Sequence, residues 1–241
     1  MFVIGAGAPP GERVAVKNPA APLIAELVGP AGAGKSAMLR RLGQRHTGIR
    51  AGLSIDRARF LPALTWYALA LVPTGLEVLR DDWRSTWPVM LHLLRLRTLP
   101  AVVAREARTS PAAIVLDEGP LFSLARLSVF NHARENRTRL GHAWDDQLGQ
   151  WSKLLDVVVW LDAPDAVLAQ RIRKRLKPHR VKDDSDQAIY EFLGQYRRAY
   201  GDIRARLVSA GHTRIIDVDT SVMPAEQSVP MVLAALTSGR G

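Results

Sequence analysis

Eight residues near the start of the chain, Gly29-Pro30-Ala31-Gly32-Ala33-Gly34-Lys35-Ser36, satisfy the pattern G-x-x-x-x-G-K-[ST] at every specified position. The pattern constrains the fold because it works only between a strand and the first turn of a helix. Both flanks are present. The run Ile24-Ala25-Glu26-Leu27-Val28 precedes it, and Met38, Leu39 and Leu42 follow at helical spacing. Glycine at 29, 32 and 34 permits backbone conformations in which successive N–H groups turn inward around a polyphosphate. The helix that opens near Lys35 adds its positive end. The phosphate-binding segment is therefore read as Gly29, Pro30, Ala31, Gly32, Ala33, Gly34, Lys35, Ser36 and Ala37. Lys35 is expected to reach the β- and γ-phosphates, and the Ser36 hydroxyl to ligate the Mg²⁺ that bridges them.

A second informative stretch is Ala112-Ala113-Ile114-Val115-Leu116-Asp117-Glu118. Apolar residues ending in acids describe a buried parallel strand that delivers Asp117, and with it Glu118, to the nucleotide edge of a sheet. An acid there holds Mg²⁺ or polarises an attacking group; the plain alternative is a strand-terminal acid with no chemistry. Adjacent side chains on a strand point opposite ways, so only one of the two faces the site unless the strand ends at Asp117. A third stretch, Asp156-Val157-Val158-Val159-Trp160-Leu161-Asp162, is another buried strand. Pro164 suits the first position of the helix that follows. In that helix Leu168, Ile172 and Leu176 form one face at four-residue steps, which places Arg171 and Arg175 together on the next. Two guanidinium groups so placed straddle a transferring phosphoryl group. The competing reading is a solvated charged face.

Between the first two stretches, Gly48 to Arg57 reads as a second strand or extended segment ending in Asp56-Arg57. Ligands of open α/β sheets sit beyond the carboxyl ends of the strands, so Asp56 is read either as a general base for an acceptor or as the cap of a following helix. Arg57 and Arg59 are the matching substrate-binding candidates. A long helix should carry Trp83, Trp87, Met90, Leu91 and Leu94 as its core stripe, with one or two tryptophans lining an acceptor pocket and Arg95 elsewhere. Near the end, Ile189, Phe192, Leu193, Tyr196, Tyr200, Ile203 and Leu207 keep a 3-4 rhythm that Gly211 suits as a terminator.

Alternating strands and helices in this order predict an α/β three-layer sandwich on a parallel sheet, occupying residues 23–241 after a flexible lead-in over 1–22. The chain has 241 residues and no cysteine, which fits a reducing, cytoplasmic setting. Its apolar runs are too short for a membrane span. The net charge of +10 favours anionic ligands. No stretch interleaves arginine with aromatics as an RNA-binding sheet does, so a small polyanion is read ahead of nucleic acid. A homodimer is compatible with this reading.

These three stretches together resemble the nucleoside and nucleotide kinase group of P-loop proteins, closest in pattern to thymidylate kinases and deoxynucleoside kinases. The likeness spans roughly residues 24 to 219, and Asp117-Glu118-Gly119-Pro120 departs from the Asp-Arg or Glu-Arg-Ser of those kinases. It implies five strands in the order 2-3-1-4-5 and an arginine-bearing lid over about 171–185. It also implies ATP as donor, Lys35, Arg171 and Arg175 around the γ-phosphate, and Ser36 with Asp117 near Mg²⁺. The activity so implied is ATP-dependent phosphoryl transfer to a small molecule, with a hydroxyl acceptor if Asp56 is the base. The alternative is a P-loop ATPase or a nucleotide-binding regulatory module coupled to a protein or nucleic-acid partner.

Overall fold

The computed structural model describes residues 21–45, 48–53, 83–109, 112–131 and 137–237. Within them, five strands alternate with helices. They are β1 (Leu23–Val28), β2 (Ile49–Leu53), β3 (Ala113–Leu116), β4 (Val157–Asp162) and β5 (Arg214–Asp219). The helices are α1 (Lys35–Arg45), α2 (Trp83–Ala107), α3 (Pro120–Asn131), α4 (Arg137–Leu154), α5 (Asp165–Arg173), α6 (Asp186–Ala210) and α7 (Ala225–Thr237). The lead-in lies almost wholly outside the described residues, as do Asp56, Arg57 and Arg59.

The strands form one sheet in the order β2-β3-β1-β4-β5, and every neighbouring pair is parallel. This is the order that the kinase resemblance implied. Strand alternation divides the core in two. Ala25, Leu27, Val115, Val159 and Leu161 point to a cluster closed by residues of α1, α5 and α7. Val28, Ile114, Leu116 and Val158 point to a second cluster closed by α2, α3, α4 and α6. Sheets buried on both faces need apolar residues at successive positions, which explains the continuous runs in β3 and β4. Glu26 breaks that rule. It lies on β1 between Ile24 and Val28 in the alternation and is fully buried.

Three differences from the sequence reading matter for the site. Helix α5 ends at Arg173, with Lys174 as its C-cap, rather than running on through Leu176. Leu168 and Ile172 are buried as expected, whereas Leu176 is fully exposed. Pro164 is the N-cap of that helix, and Asp165 takes the first helical position. In α2 the buried stripe is His92, Leu96, Leu99 and Val103, and Leu91 is 44% exposed. Of the predicted stripe, the side chains of Trp83, Trp87 and Met90 lie outside those described, and Leu91 and Leu94 cover a cavity instead of the core. Helix α6 matches its sequence pattern: Ser185 accepts from the Ala188 amide at its start, and Gly211 ends it at φ 69°.

Candidate active site

β1 is the central strand, flanked by β3 and β4. Parallel strands bring their carboxyl ends to one edge, so the phosphate loop after Val28, Asp117 after Leu116, and Asp162 at the end of β4 lie side by side. The loop is pressed between β4 and α5. A Cβ on Gly29 (φ 141°) would come within 2.0 Å of the Leu161 carbonyl oxygen, and one on Gly32 (φ 84°) within 2.9 Å of the Leu168 carbonyl oxygen. Only glycine fits at these two places.

Lys35 Nζ curls back over the loop and donates to the carbonyls of Gly29 (2.6 Å) and Pro30 (2.9 Å). Burial pulls its pKa down to about 8, Asp117 opposes that shift, and the nearby Arg175 adds to it. The same cavity, about 1260 Å³ in volume, is lined by the loop residues Gly29, Ala31, Gly32, Ala33, Gly34, Lys35, Ser36 and Ala37, and by Asp117 and Glu118. Both acids reach it because β3 ends at Leu116, before the alternation of a strand separates them. Glu118 adopts φ 51° and accepts from Arg95 Nη1 at 3.2 Å. The Asp117 pKa is raised, first by burial and then by repulsion from Glu118. Ser36 and Asp117 offer a hydroxyl and a carboxylate on two walls of one cavity. Such a set of hard oxygens suits Mg²⁺ when substrate phosphates and water complete its shell.

The far wall is aromatic and cationic. His92 from α2 meets Phe122 of α3 edge-on, with centroids 5.8 Å apart. The Arg126 guanidinium sits 4.9 Å from the Phe130 ring centroid, and its Nη1 donates to the Tyr196 hydroxyl at 2.8 Å. Phe192 packs 4.9 Å from Tyr196 and 5.5 Å from His179. The Nδ1 atoms of His92 and His179 and the Nε of Arg126 are buried with no protein hydrogen-bond partner. Burial, reinforced by Arg126 and Arg95, holds the His92 pKa down at about 3, so this imidazole is neutral at physiological pH.

Arg171 and Arg175 do not both belong to α5, which ends at Arg173 between them. Arg171, in the last turn of α5, donates through Nη1 to Thr220 Oγ1 (2.7 Å) and through Nη2 to the Thr220 carbonyl (2.8 Å), just beyond β5. Nη1 also lies 3.4 Å from the Gly32 carbonyl. Arg175 follows the end of the helix, where its amide donates to the Ile172 carbonyl at 3.2 Å. Both side chains line the cavity, so the chain brings them to one site by a different route from the helical pairing that the spacing predicts. The start of α5 is tied to the end of β4 by Arg197 of α6. It donates from Nε and Nη2 to the two oxygens of Asp162, each at 3.0 Å, and also pairs with Asp165.

Sequence reasoning passed over Glu26, Arg95, Arg126 and Thr220. For Glu26 a signal existed, since an acid inside an otherwise apolar run is anomalous. Arg95 reads from its spacing as an outer-face residue, yet its side chain is only 13% exposed. Nothing local marks Arg126 or Thr220, whose partners come from distant elements.

A glycine-cradled phosphate loop on the central strand of a parallel 2-3-1-4-5 sheet, facing a strand-terminal acid, defines a P-loop protein with the fold of the nucleoside and nucleotide kinases. The family follows from sequence. The model of the AAA domain family matches residues 24–200, and the chain belongs to that family. Among solved structures, the chain is similar to a deoxyadenosine kinase from M. mycoides with bound dATP. The identity is 14% over 89% of this chain and 99% of that one, with a TM-score of 0.55. It is likewise similar to thymidylate kinase from Candida albicans, at 15% identity over 90% and 92% of the two chains and a TM-score of 0.58. At these identities the likeness is one of fold. No curated protein matches the chain in sequence. Among the described residues, no helix is long and apolar enough to cross a membrane.

Proposed function

We propose that the protein is an ATP-dependent phosphotransferase acting on a small, nucleoside- or nucleotide-like molecule. The observation that carries this reading is the single cavity that runs from the phosphate loop, past Asp117 and Glu118, to a wall of aromatic rings and arginines. Ligand pockets usually measure about 300–1,000 Å³, so a cavity of about 1260 Å³ accommodates a donor nucleotide and an acceptor together. A pure ATPase needs room for ATP and water alone.

In this reading the loop amides and Lys35 hold the ATP phosphates, and the ammonium exchanges its two loop carbonyls for phosphate oxygens. Ser36 and Asp117 hold Mg²⁺, which when bound neutralises charge on the phosphate oxygens. Arg175, on the lid beside Lys35, stabilises the charge of the transferring group. Arg171, fixed to Thr220 at the outer side of the loop, holds the nucleotide in place. The acceptor's flat portion stacks in the wall of Phe122, Phe192 and Tyr196, where the neutral His92 offers a hydrogen bond. With Arg95 engaged by Glu118 and Arg126 by Tyr196, this wall favours an acceptor that presents a hydroxyl over one that needs two unpaired guanidinium groups. Asp56, outside the described residues, is then the base that orients or accepts the hydroxyl proton, and Arg57 or Arg59 holds an anionic or polar part of the acceptor.

The test is ATP consumption by the purified protein with Mg²⁺, offered nucleosides, nucleoside monophosphates, sugars and other alcohols, with Lys35→Ala as control. Strong stimulation by one acceptor class, lost by a factor of about 10²–10³ in the variant, supports the reading. Steady hydrolysis indifferent to every acceptor overturns it in favour of an energy-coupling or regulatory module.

A further inference from the structure

Glu26 has no place in the chemistry described above, yet it occupies the middle of the central strand and is fully buried. A carboxylate in such a place is costly unless its oxygens are satisfied. Here they are. Oε2 accepts from the Leu121 amide and Oε1 from the Phe122 amide, each at 2.9 Å. These are first-turn amides of α3, which no carbonyl of their own helix can reach, and they lie at its positive end.

The contact is built from both sides. A Cβ on Gly119 would lie 2.7 Å from Glu26 Cδ and 2.9 and 3.0 Å from its two oxygens, so glycine at 119 is what lets the turn settle on the carboxylate. In the sheet Glu26 is paired with Leu116, the last residue of β3. Asp117, Glu118, Gly119 and the start of α3 follow directly. In the other direction, β1 reaches Gly29 and the phosphate loop three residues after Glu26. One side chain thus fastens two things to the strand that carries the phosphate loop. The first is the turn bearing Asp117 and Glu118; the second is the helix bearing Phe122 and Arg126, both of which line the cavity. An apolar residue would fill this face of the sheet, but it would leave the helix end without acceptors and free to shift.

We propose that Glu26 is a positioning residue for phosphoryl transfer, setting the spacing between the phosphate loop and the acid turn with its acceptor wall while touching neither substrate. The inference rests on the phosphotransferase reading of the cavity.

Glu26→Gln keeps the volume and one acceptor oxygen but turns an NH₂ toward an amide that needs an acceptor. Three quantities are measured on it: hydrogen exchange of the Leu121 and Phe122 amides, the dissociation constant of Mg²⁺-free ATP, which the phosphate loop and Lys35 hold without Asp117, and kcat/KM for the acceptor that the screen identifies. The expected result is exchange at least tenfold faster, affinity for Mg²⁺-free ATP within twofold of wild type, and acceptor kcat/KM lowered at least tenfold. Gly119→Ala, which pushes on the same contact from the other side, should give the same split and serves if the first variant does not fold. Val229→Ala, on the opposite face of the sheet, provides a destabilised control that should leave acceptor kcat/KM within twofold. Faster exchange with unchanged acceptor kcat/KM, or a fall matched by an equal loss of affinity for Mg²⁺-free ATP, overturns the positioning role and leaves the kinase reading standing. A wild-type protein that binds MgATP and transfers to no acceptor overturns the kinase reading, and the exchange measurement, which needs no turnover, distinguishes that outcome from loss of the anchor.

Discussion

The carboxylate of Glu26 and the α-carbon of Gly119 are so close that no side chain fits between them: a Cβ at 119 would stand 2.7 Å from Glu26 Cδ. Gly119→Ala should therefore cost about 1–3 kcal/mol through overpacking. In a Glu26→Ala background the same substitution should cost far less, because the space has been opened. Urea denaturation of the four members of this double-mutant cycle measures the coupling, and strict additivity would contradict the contact.

The same burial makes stability depend on pH. Desolvation pushes the Glu26 pKa up to about 8 from 4.5, against the lowering pull of the Leu121 and Phe122 amides and of Arg95. The folded state then binds more protons than the unfolded state between about pH 4.5 and 8. Its contribution to stability is complete below that window and is lost as pH rises through it. Of the other groups facing Glu26, the Arg95 guanidinium opposes the upward shift, and burial keeps the Tyr200 phenol neutral. Glu26→Gln removes this titration. Its melting temperature relative to wild type should climb from pH 5 to pH 8, and a constant difference across that range would refute the shifted ionisation.

Arg171 and Arg175 should separate in their effects. Arg171 is held by three hydrogen-bond acceptors on Thr220 and the phosphate loop, whereas Arg175 sits past the helix end beside Lys35. Arg171→Ala should raise the MgATP dissociation constant with a smaller effect on turnover. Arg175→Ala should lower kcat by about 10²–10³ with little change in MgATP affinity. Calorimetric titration alongside steady-state kinetics reads both, and equal effects from the two variants would show that they act as a pair after all.

Leu176 and Ile172 occupy equivalent steps of one helical rhythm but opposite environments. Ile172→Ala should cost about 2–5 kcal/mol, as expected for a core residue. Leu176→Ser should change stability by no more than about 0.5 kcal/mol, since the side chain is fully exposed. Thermal melts of the two variants decide between an α5 that stops at Arg173 and one that continues through Leu176.

The rhythm misleads at this point for a physical reason. Arg171, Arg173, Lys174, Arg175 and Lys177 crowd positive charge into seven residues, and repulsion between neighbours on successive turns opposes continuing the helix. In α2 the misreading has another origin: Leu91 and Leu94 are apolar because they line a cavity, and hydrophobicity does not distinguish a cavity wall from a core. The end of α5 and the cavity wall that carries Leu91 and Leu94 were therefore the parts least legible in the sequence.

What the sequence determined by itself was local. Three glycines, a lysine and a serine in eight residues dictate a backbone that cradles phosphate, and the strands and helices around it announce themselves through continuous apolar runs and a period of 3.6 residues. Tertiary structure alone decided which side chains share the cavity. Glu26 meets Leu121 across 95 residues of chain, Arg126 meets Tyr196 across 70, and Arg171 meets Thr220 across 49. Periodicity records how deeply an element is buried. The partner of a buried polar group depends on which distant element packs against it, and no local pattern encodes that choice.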